Sequence, residues 1–309
     1  MTTTKTSAIF AVLAMLGIVT ILVALPTVGL AQGPGVMFQP SAYPLSSPSD
    51  VQPPPYSRPL VVSDPAPKGG IIVATEMAFL KYGQEGGVAA FSGDTIDFGM
   101  ELAPRFELGY VGSGGTGVRA RYWMMQADAN DAGGSELDLD TFSFDMEILS
   151  QHRINSRTEL EISAGLRYID FRQLMTEEIL GMDFTNEFNG FGGTLGIEAK
   201  RDIGFGKLYA KARGSILMGD SDIRYRAIES PVVSFHANDS VVGQGELGFG
   251  YELGMPLGDY AQLNLRLGAE WQLWSNIGIA DTAFGGVGND DVLEDAGFAG
   301  LLAAGTITW

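Results

Sequence analysis

From Gly70 to the end of the chain, the side chains alternate in polarity with a period of two residues. In segment 157–172, for example, Ile162 and Leu166 fall on one row while Glu161 and Arg167 fall on the other. A period of two is typical of β-strands, whose successive side chains point to opposite faces, and excludes the 3.6-residue period of helices. This part of the chain is therefore predicted to be all strands, each with one apolar and one charged face.

The alternating segments are separated by connections of two kinds. Short turns and long loops alternate along the chain. An even number of strands joined in this way is typical of barrels that span the bacterial outer membrane. The sequence therefore predicts an all-β, transmembrane antiparallel β-barrel of about ten strands, with 8–12 compatible, short periplasmic turns and long external loops. The predicted strands are 71–82, 104–112, 116–127, 139–151, 157–172, 187–201, 206–219, 240–254, 260–275 and 296–309.

A soluble β-sandwich with a polar exterior is the alternative fold, because its strands also alternate. It does not explain an export signal, a terminal aromatic residue or rows of arginine on consecutive strands. Charged side chains are costly on a lipid-facing surface, so in the barrel these rows must point inward.

The last strand ends on Trp309, and the alternate positions before it, including Ile307, are apolar or small. Outer-membrane barrels usually end on such a strand, which the barrel-assembly machinery pairs first. We therefore interpret Trp309 and Ile307 as an assembly signal and expect the last strand to pair with segment 71–82.

The first 69 residues do not share the alternation. Residues 1–31 contain a weakly basic start, a long apolar run and small residues before a cleavage site after Ala31, which predicts a cleaved signal peptide. The alternative is an uncleaved inner-membrane anchor, and in both cases the rest of the chain leaves the cytoplasm. Residues 32–69 are rich in proline and predict an extended periplasmic leader, so the barrel is assigned to residues 70–309.

The composition limits the partners and cofactors. The formal charge of −18 argues against nucleic acid, which needs a basic surface, and the predicted barrel makes outer-membrane lipid the expected surroundings. The chain has no cysteine, which fits an exported chain without disulfides. Asp220-x-Asp222 and Asp290-Asp291 offer oxygen ligands but no complete calcium-loop spacing, so we predict no metal and no cofactor.

The charged rows supply sixteen side chains that we predict to line the lumen, eight of each sign. They either pair across the bore as a polar plug or segregate by sign and leave a narrow, water-filled constriction. The sequence leaves both arrangements open. The sixteen residues are Arg105, Glu107, Arg119, Arg121, Glu147, Glu159, Glu161, Arg167, Glu198, Lys200, Lys211, Arg213, Glu246, Glu252, Arg266 and Glu270.

Several short glycine-and-aromatic motifs resemble the Legionella-type major outer membrane protein family, over about residues 101–309. They are Gly165-Leu166-Arg167-Tyr168, Gly190-Phe191-Gly192-Gly193, the run AKARGSILMGD at 210–220, and Ala269-Glu270-Trp271-Gln272. The resemblance implies a pore-forming barrel in the outer membrane of a Gram-negative cell and supplies no catalytic positions. The Legionella proteins are cysteine-rich and disulfide-linked, so this chain departs from them and cannot be cross-linked in that way.

We therefore expect a narrow, porin-like channel for small ions or solutes, not an enzyme. Acidic external loops would give it a weak cation preference. The alternative is a closed structural or adhesive barrel whose loops bind a partner. A remote alternative is an omptin-like surface protease, for which Asp220, Asp222, His236 and Asp239 supply the residue types but not the expected placement on opposite sides of the barrel.

Overall fold

The computed structural model describes residues 69–84, 88–89, 95–130, 135–177, 181–226, 232–258, 260–279 and 293–309. The predicted signal peptide and almost all of the predicted leader lie outside these residues. None of the described residues belongs to a helix long and apolar enough to cross a membrane. The strands are β1 (Gly70–Gln84), β2 (Val88–Ala89), β3 (Thr95–Ile96), β4 (Met100–Val111), β5 (Thr116–Asn130), β6 (Ser135–Asn155), β7 (Thr158–Glu177), β8 (Met182–Asp202), β9 (Lys207–Arg226), β10 (Val233–Leu257), β11 (Ala261–Ile279) and β12 (Leu293–Thr308).

Ten of these strands, β1 and β4–β12, form a closed antiparallel barrel in chain order, as the sequence predicts. The barrel closes where β12 pairs with β1, from Ile72 opposite Thr308 to Gln84 opposite Ala296. At the edge of this seam, the backbone N–H of Trp309 donates a hydrogen bond of 3.1 Å to the carbonyl oxygen of Ile71. The two-residue strands β2 and β3 pair only with each other.

The two ends of the barrel differ. One end holds Gly70, Trp309 and the tight connections after β4, β6, β8 and β10, and we call it the short-turn end. Three of these connections contain a glycine with positive φ, at Gly115, Gly204 and Gly258, where other residues would be strained. The opposite end we call the long-strand end.

At the long-strand end, several strands run further than the sequence predicts. Residues 220–226 of β9 pair with 183–189 of β8, and residues 221–225 pair with 233–237 of β10. Residues 128–130 of β5 likewise pair with residues 136–138 of β6, beyond the predicted ends of both strands. Much of the acidic sequence interpreted as external loop therefore lies on paired strands.

The outer face of the barrel changes polarity along each strand. Near the short-turn end of β7 it carries Ile162 and Leu166, both about half exposed, which would contact lipid. Further along the same face come Asp170 and Arg172. The apolar part of the outer face forms a continuous belt, to which the neighbouring strands contribute Phe144, Met146, Ile148, Leu195, Ile216, Phe249 and Leu267.

The inner face changes polarity in the opposite sense. On β7, the inward Glu161 and Arg167 of the short-turn half give way to Ile169 and Phe171, which are completely buried. Every barrel strand contributes to an apolar cluster inside the long-strand half, which we call the apolar plug. Its centre is aromatic and includes Tyr82, Trp123, Phe171, Trp274 and Phe298.

The aromatic rings of the plug contact one another across the bore. The Trp274 ring centroid lies 5.5 Å from that of Phe298 and 5.9 Å from those of Trp123 and Phe171. Tyr82 extends the contact from Phe298, at 5.3 Å. Such tilted and edge-to-face contacts are favourable beyond the area they bury, so the plug is packed like the core of a soluble protein.

The plug predicts a difference between two tryptophans on β11. Trp274→Ala removes a fully buried ring from the plug and should lower the free energy of unfolding by about 3–5 kcal/mol. Trp271→Ala removes an outward ring that is 44% exposed and should cost less. Equilibrium unfolding of the refolded barrel in urea and lipid vesicles checks both, and equal losses would contradict a packed plug.

Candidate functional site: the charged interior

All sixteen side chains predicted to face inward do so, because each lies on the row opposite the lipid-facing residues. Besides these sixteen, the inward rows carry Glu76 on β1, Asp145 and Arg153 on β6, and Lys207 on β9. The sequence does not predict Glu76 as inward, because both rows of segment 71–82 are mostly apolar and their polarity does not show which row faces the bore. Whether these side chains line a conducting path remains a prediction.

Ion pairs cross the bore between strands that are not neighbours. Arg105 on β4 holds Glu270 on β11 through two hydrogen bonds of 2.8 and 3.0 Å. Arg266 on β11 holds Glu198 on β8 at 2.7 Å. A two-pronged guanidinium–carboxylate contact is strong and fixes the geometry of both partners.

Arg167 is the most enclosed of these cations, with 1% of its surface exposed. Its Nε and Nη2 donate to the two carboxylate oxygens of Asp145, at 2.6 and 2.8 Å. Its Nη1 donates to Glu246 at 2.7 Å and also to Gln244. Every donor of Arg167 that faces the bore is therefore directed at an acceptor on β6 or β10.

Two further cations tie the network together. Lys211 on β9 donates to Glu270 at 2.5 Å, so this fully buried carboxylate is shared between Lys211 and Arg105. Arg213, also on β9, pairs with Glu147 on β6. Of the two arrangements that the sequence left open, the structure shows the first, in which opposite charges pair across the bore.

A cavity of about 890 Å³ occupies the interior on the short-turn side of the network. His152, Tyr260 and Trp309 line its mouth, and Arg105 and Glu246 lie at its inner end. Thirteen of the sixteen predicted side chains line it, all except Glu147, Arg167 and Glu270, which lie behind its wall. Beyond its inner end, the described side chains of the apolar plug fill the bore.

The outer face at the long-strand end carries the residues considered for catalysis. His236 on β10 lies opposite Asp222 on β9, and Nδ1 of its ring is 2.8 Å from Oδ1 of Asp222. Its Nε2 is 2.8 Å from Oδ1 of Asn238, so its partners are Asp222 and Asn238 and not Asp239. The Asp222–His236 pair is about half exposed on the outer wall. The side chain that also contacts His236, Asn238, is not a nucleophile.

No group of three or more possible metal ligands occurs among the described residues. The two adjacent aspartates at 290–291 lie outside them.

Comparison with known proteins agrees with the fold. Residues 94–305 match the family described as the Legionella pneumophila major outer membrane protein precursor. The closed antiparallel barrel with its apolar outer belt, together with this family match, identifies the chain as a β-barrel protein of the outer membrane. The chain belongs to the Legionella major outer membrane protein family, as its strand motifs predict. No curated protein matches the chain.

Solved structures of similar shape are barrels of low sequence identity. The outer membrane protease OmpT from Escherichia coli is 10% identical with a TM-score of 0.46, over 78% of this chain and 96% of that chain. A major outer membrane protein from Thermus thermophilus is 12% identical with a TM-score of 0.41, over 78% and 99%. The translocator domain of the autotransporter NalP from Neisseria meningitidis is 15% identical with a TM-score of 0.43, over 77% and 88%. No activity is carried over from them.

Arg167 predicts that the network is sensitive to the loss of one partner. Arg167→Gln would leave Asp145 and Glu246 buried without their main cation and should lower the free energy of unfolding by about 3–5 kcal/mol. Arg172→Gln, on the exposed outer face of the same strand, is the matched control and should change it little. Urea unfolding in vesicles measures both, and similar stabilities would contradict the assigned role.

The outer-wall histidine predicts a titration. Hydrogen bonds to Asp222 and Asn238, with the charge of Asp222, raise the pKa of His236 above its ordinary value. Because the folded-state pKa is raised, this contact contributes stability at low pH that is lost as the pH rises through that pKa.

Asp222→Asn should therefore lower the pKa of His236, measured by NMR titration of its ring with His152→Gln to identify the resonance. Asp220→Asn, a more weakly coupled neighbour, should lower it less. An unchanged midpoint in Asp222→Asn would show that the pair does not form.

Proposed function

We propose that this chain is a closed outer-membrane barrel that presents its long-strand end as a rigid surface for a partner, with its apolar belt held in lipid. The observation that carries the proposal is the filled bore. Ion pairs occupy its short-turn half beyond the cavity, and the apolar plug occupies its long-strand half. Because side chains from all ten barrel strands pack inside the bore, the geometry best supports a closed barrel with a binding or structural role.

The long-strand end supports a binding role because it is a folded extension of the barrel. Strands β6–β10 continue beyond the apolar belt, with the plug as their core and a polar outer face. Charged side chains of both signs lie on this face, and Asp183 pairs with Arg226 while Arg172 lies 3.4 Å from Glu187. A rigid scaffold of this kind loses little conformational entropy when it binds.

The proposal assigns no catalysis, since the Asp222–His236 pair lies on an open outer wall where substrate would not be shielded from water. We also infer that Trp309 and Ile307 serve the assembly machinery. Ile307 lies opposite Val73 of β1 on the strand that closes the barrel, and Trp309 follows it, half exposed at the short-turn end.

The predicted narrow channel is the second candidate, and the cavity favours it. Water-accessible space already reaches from the short-turn end into the middle of the bore, where charged side chains could replace the hydration of an ion. Conduction would require the plug to move aside. The acidic external loops at the long-strand end would then give the predicted weak cation preference.

Planar-bilayer recording separates the two candidates. Wild-type protein should give no conductance steps above background at any voltage. The variant Trp123→Ala/Trp274→Ala, which empties the centre of the plug, should conduct, whereas the outward Trp271→Ala should remain silent. Regular steps from the wild type would overturn the closed barrel in favour of the channel, and reversal potentials in a salt gradient would then measure its ion preference.

A further inference from the structure

The lining of the cavity is richer in positive charge than the interior as a whole. Nine lysine or arginine side chains and seven glutamates line it. The imbalance arises because Asp145, Glu147 and Glu270, at 0–3% exposure, lie behind the wall and contact the bore only through their cations. A solute that enters from the short-turn end therefore meets a surface that favours negative charge.

One cation of this lining, Arg121, is held less closely than its neighbours Arg119 and Arg266. Arg119 and Arg266 each hold carboxylates at 2.6–2.8 Å. Around Arg121, the closest carboxylate atoms are Oδ2 of Asp145 at 3.5 Å and Oε2 of Glu107 at 3.7 Å. These distances are too long for good hydrogen bonds.

Arg121 is also buried, with 7% of its surface exposed. Its Nη1 is enclosed and has no hydrogen-bond partner among the described residues. Glu107 is correspondingly loosely held, since its other cation contact, with Arg119, is 3.5 Å long. An arginine presents five donors in a planar fork, and leaving the enclosed Nη1 unbonded is costly.

The surroundings of Arg121 define which anion it would accept. Its fork matches the two oxygens of a carboxylate. Glu107 and Asp145 lie beside Arg121 and repel a doubly charged anion such as sulfate more strongly than a singly charged carboxylate. The cavity volume of about 890 Å³ falls within the range of small-molecule sites.

We propose that the cavity binds a small, singly charged carboxylate that enters from the short-turn end and is held by Arg121. The site does not depend on the proposed function, because a closed barrel and a conducting one would both contain it. Failure to find it would leave the bilayer result unchanged.

The probe is acetate labelled with ¹³C at the carboxyl carbon, titrated by NMR against the refolded full chain at low ionic strength. Arg121→Gln should weaken binding by about tenfold or more, as expected for loss of a charged hydrogen-bonding partner. Arg172→Gln, on the outer face, should bind as the wild type does. Wild-type protein that does not bind acetate, or Arg121→Gln that binds equally well, would overturn the proposal.

A second variant guards against misfolding. Arg121→Lys keeps the charge but removes the fork, so binding should be weakened while circular dichroism and heat-modified gel mobility remain those of a folded barrel. Sulfate, which is doubly charged, should compete poorly with acetate. Sulfate competition at equal concentration would overturn the assignment to a singly charged carboxylate.

The location can be tested with a single cysteine, since the chain has none. Thr306→Cys introduces a thiol in the cavity wall, and its reaction with a sulfonate-bearing methanethiosulfonate should abolish acetate binding. The same label on Asp128→Cys, exposed on the outer face of β5, should not. Acetate binding that survives labelling at position 306 would place the site elsewhere and contradict the proposal.

Discussion

The backbone ladder between β1 and β12 is the constraint on which the rest of the structure depends. In hydrocarbon, an unpaired N–H or C=O group finds no water, so a sheet can cross a membrane only when its first and last strands pair. Ten strands close into a bore narrow enough for side chains from opposite walls to meet. Arg167 on β7 reaches Glu246 on β10 at 2.7 Å for this reason. Side chains that contact one another across the bore therefore fill much of the interior.

The packing takes two forms because the outside of the barrel has two surroundings. Where the outer face contacts lipid it must be apolar, and the inner row is then charged and satisfied by ion pairs. Beyond the belt, the outer face contacts water and carries Asp170 and Arg172, so the inner row is free to be apolar. Ile169 and Phe171 begin the plug on that strand. The reversal within β7 follows from the position of the membrane boundary.

The same reversal explains how far sequence reasoning reached. The family, the closed ten-stranded fold and the inward rows could be predicted, because alternation against lipid is a strong and repeated pattern. The extensions of β9 and β10 could not, since the predicted strands end at 219 and begin again at 240, which assigns Asp220, Asp222 and His236 to a loop. On a strand surrounded by water, an outward charge is ordinary.

The contacts across the bore were also beyond prediction, for a geometric reason. Alternation shows which way a side chain faces but not which residue it meets from a strand several positions away. Arg119 and Arg121 occupy equivalent places on one row of β5, yet Arg119 holds Glu147 and Glu161 closely while Arg121 is left without a close partner. That difference depends on the stagger of the whole barrel.

The two layers also differ as barriers, and this bears on what the barrel can do. The paired charges present oxygens and N–H groups that could exchange partners with a passing ion and partly replace its water. The plug offers rings and aliphatic side chains, which cannot hydrate an ion and exclude water by close packing. In the proposed closed barrel, the plug is therefore the layer that would stop conduction. The charged layer and its cavity open toward the short-turn end, where the proposed carboxylate would be held without crossing the plug.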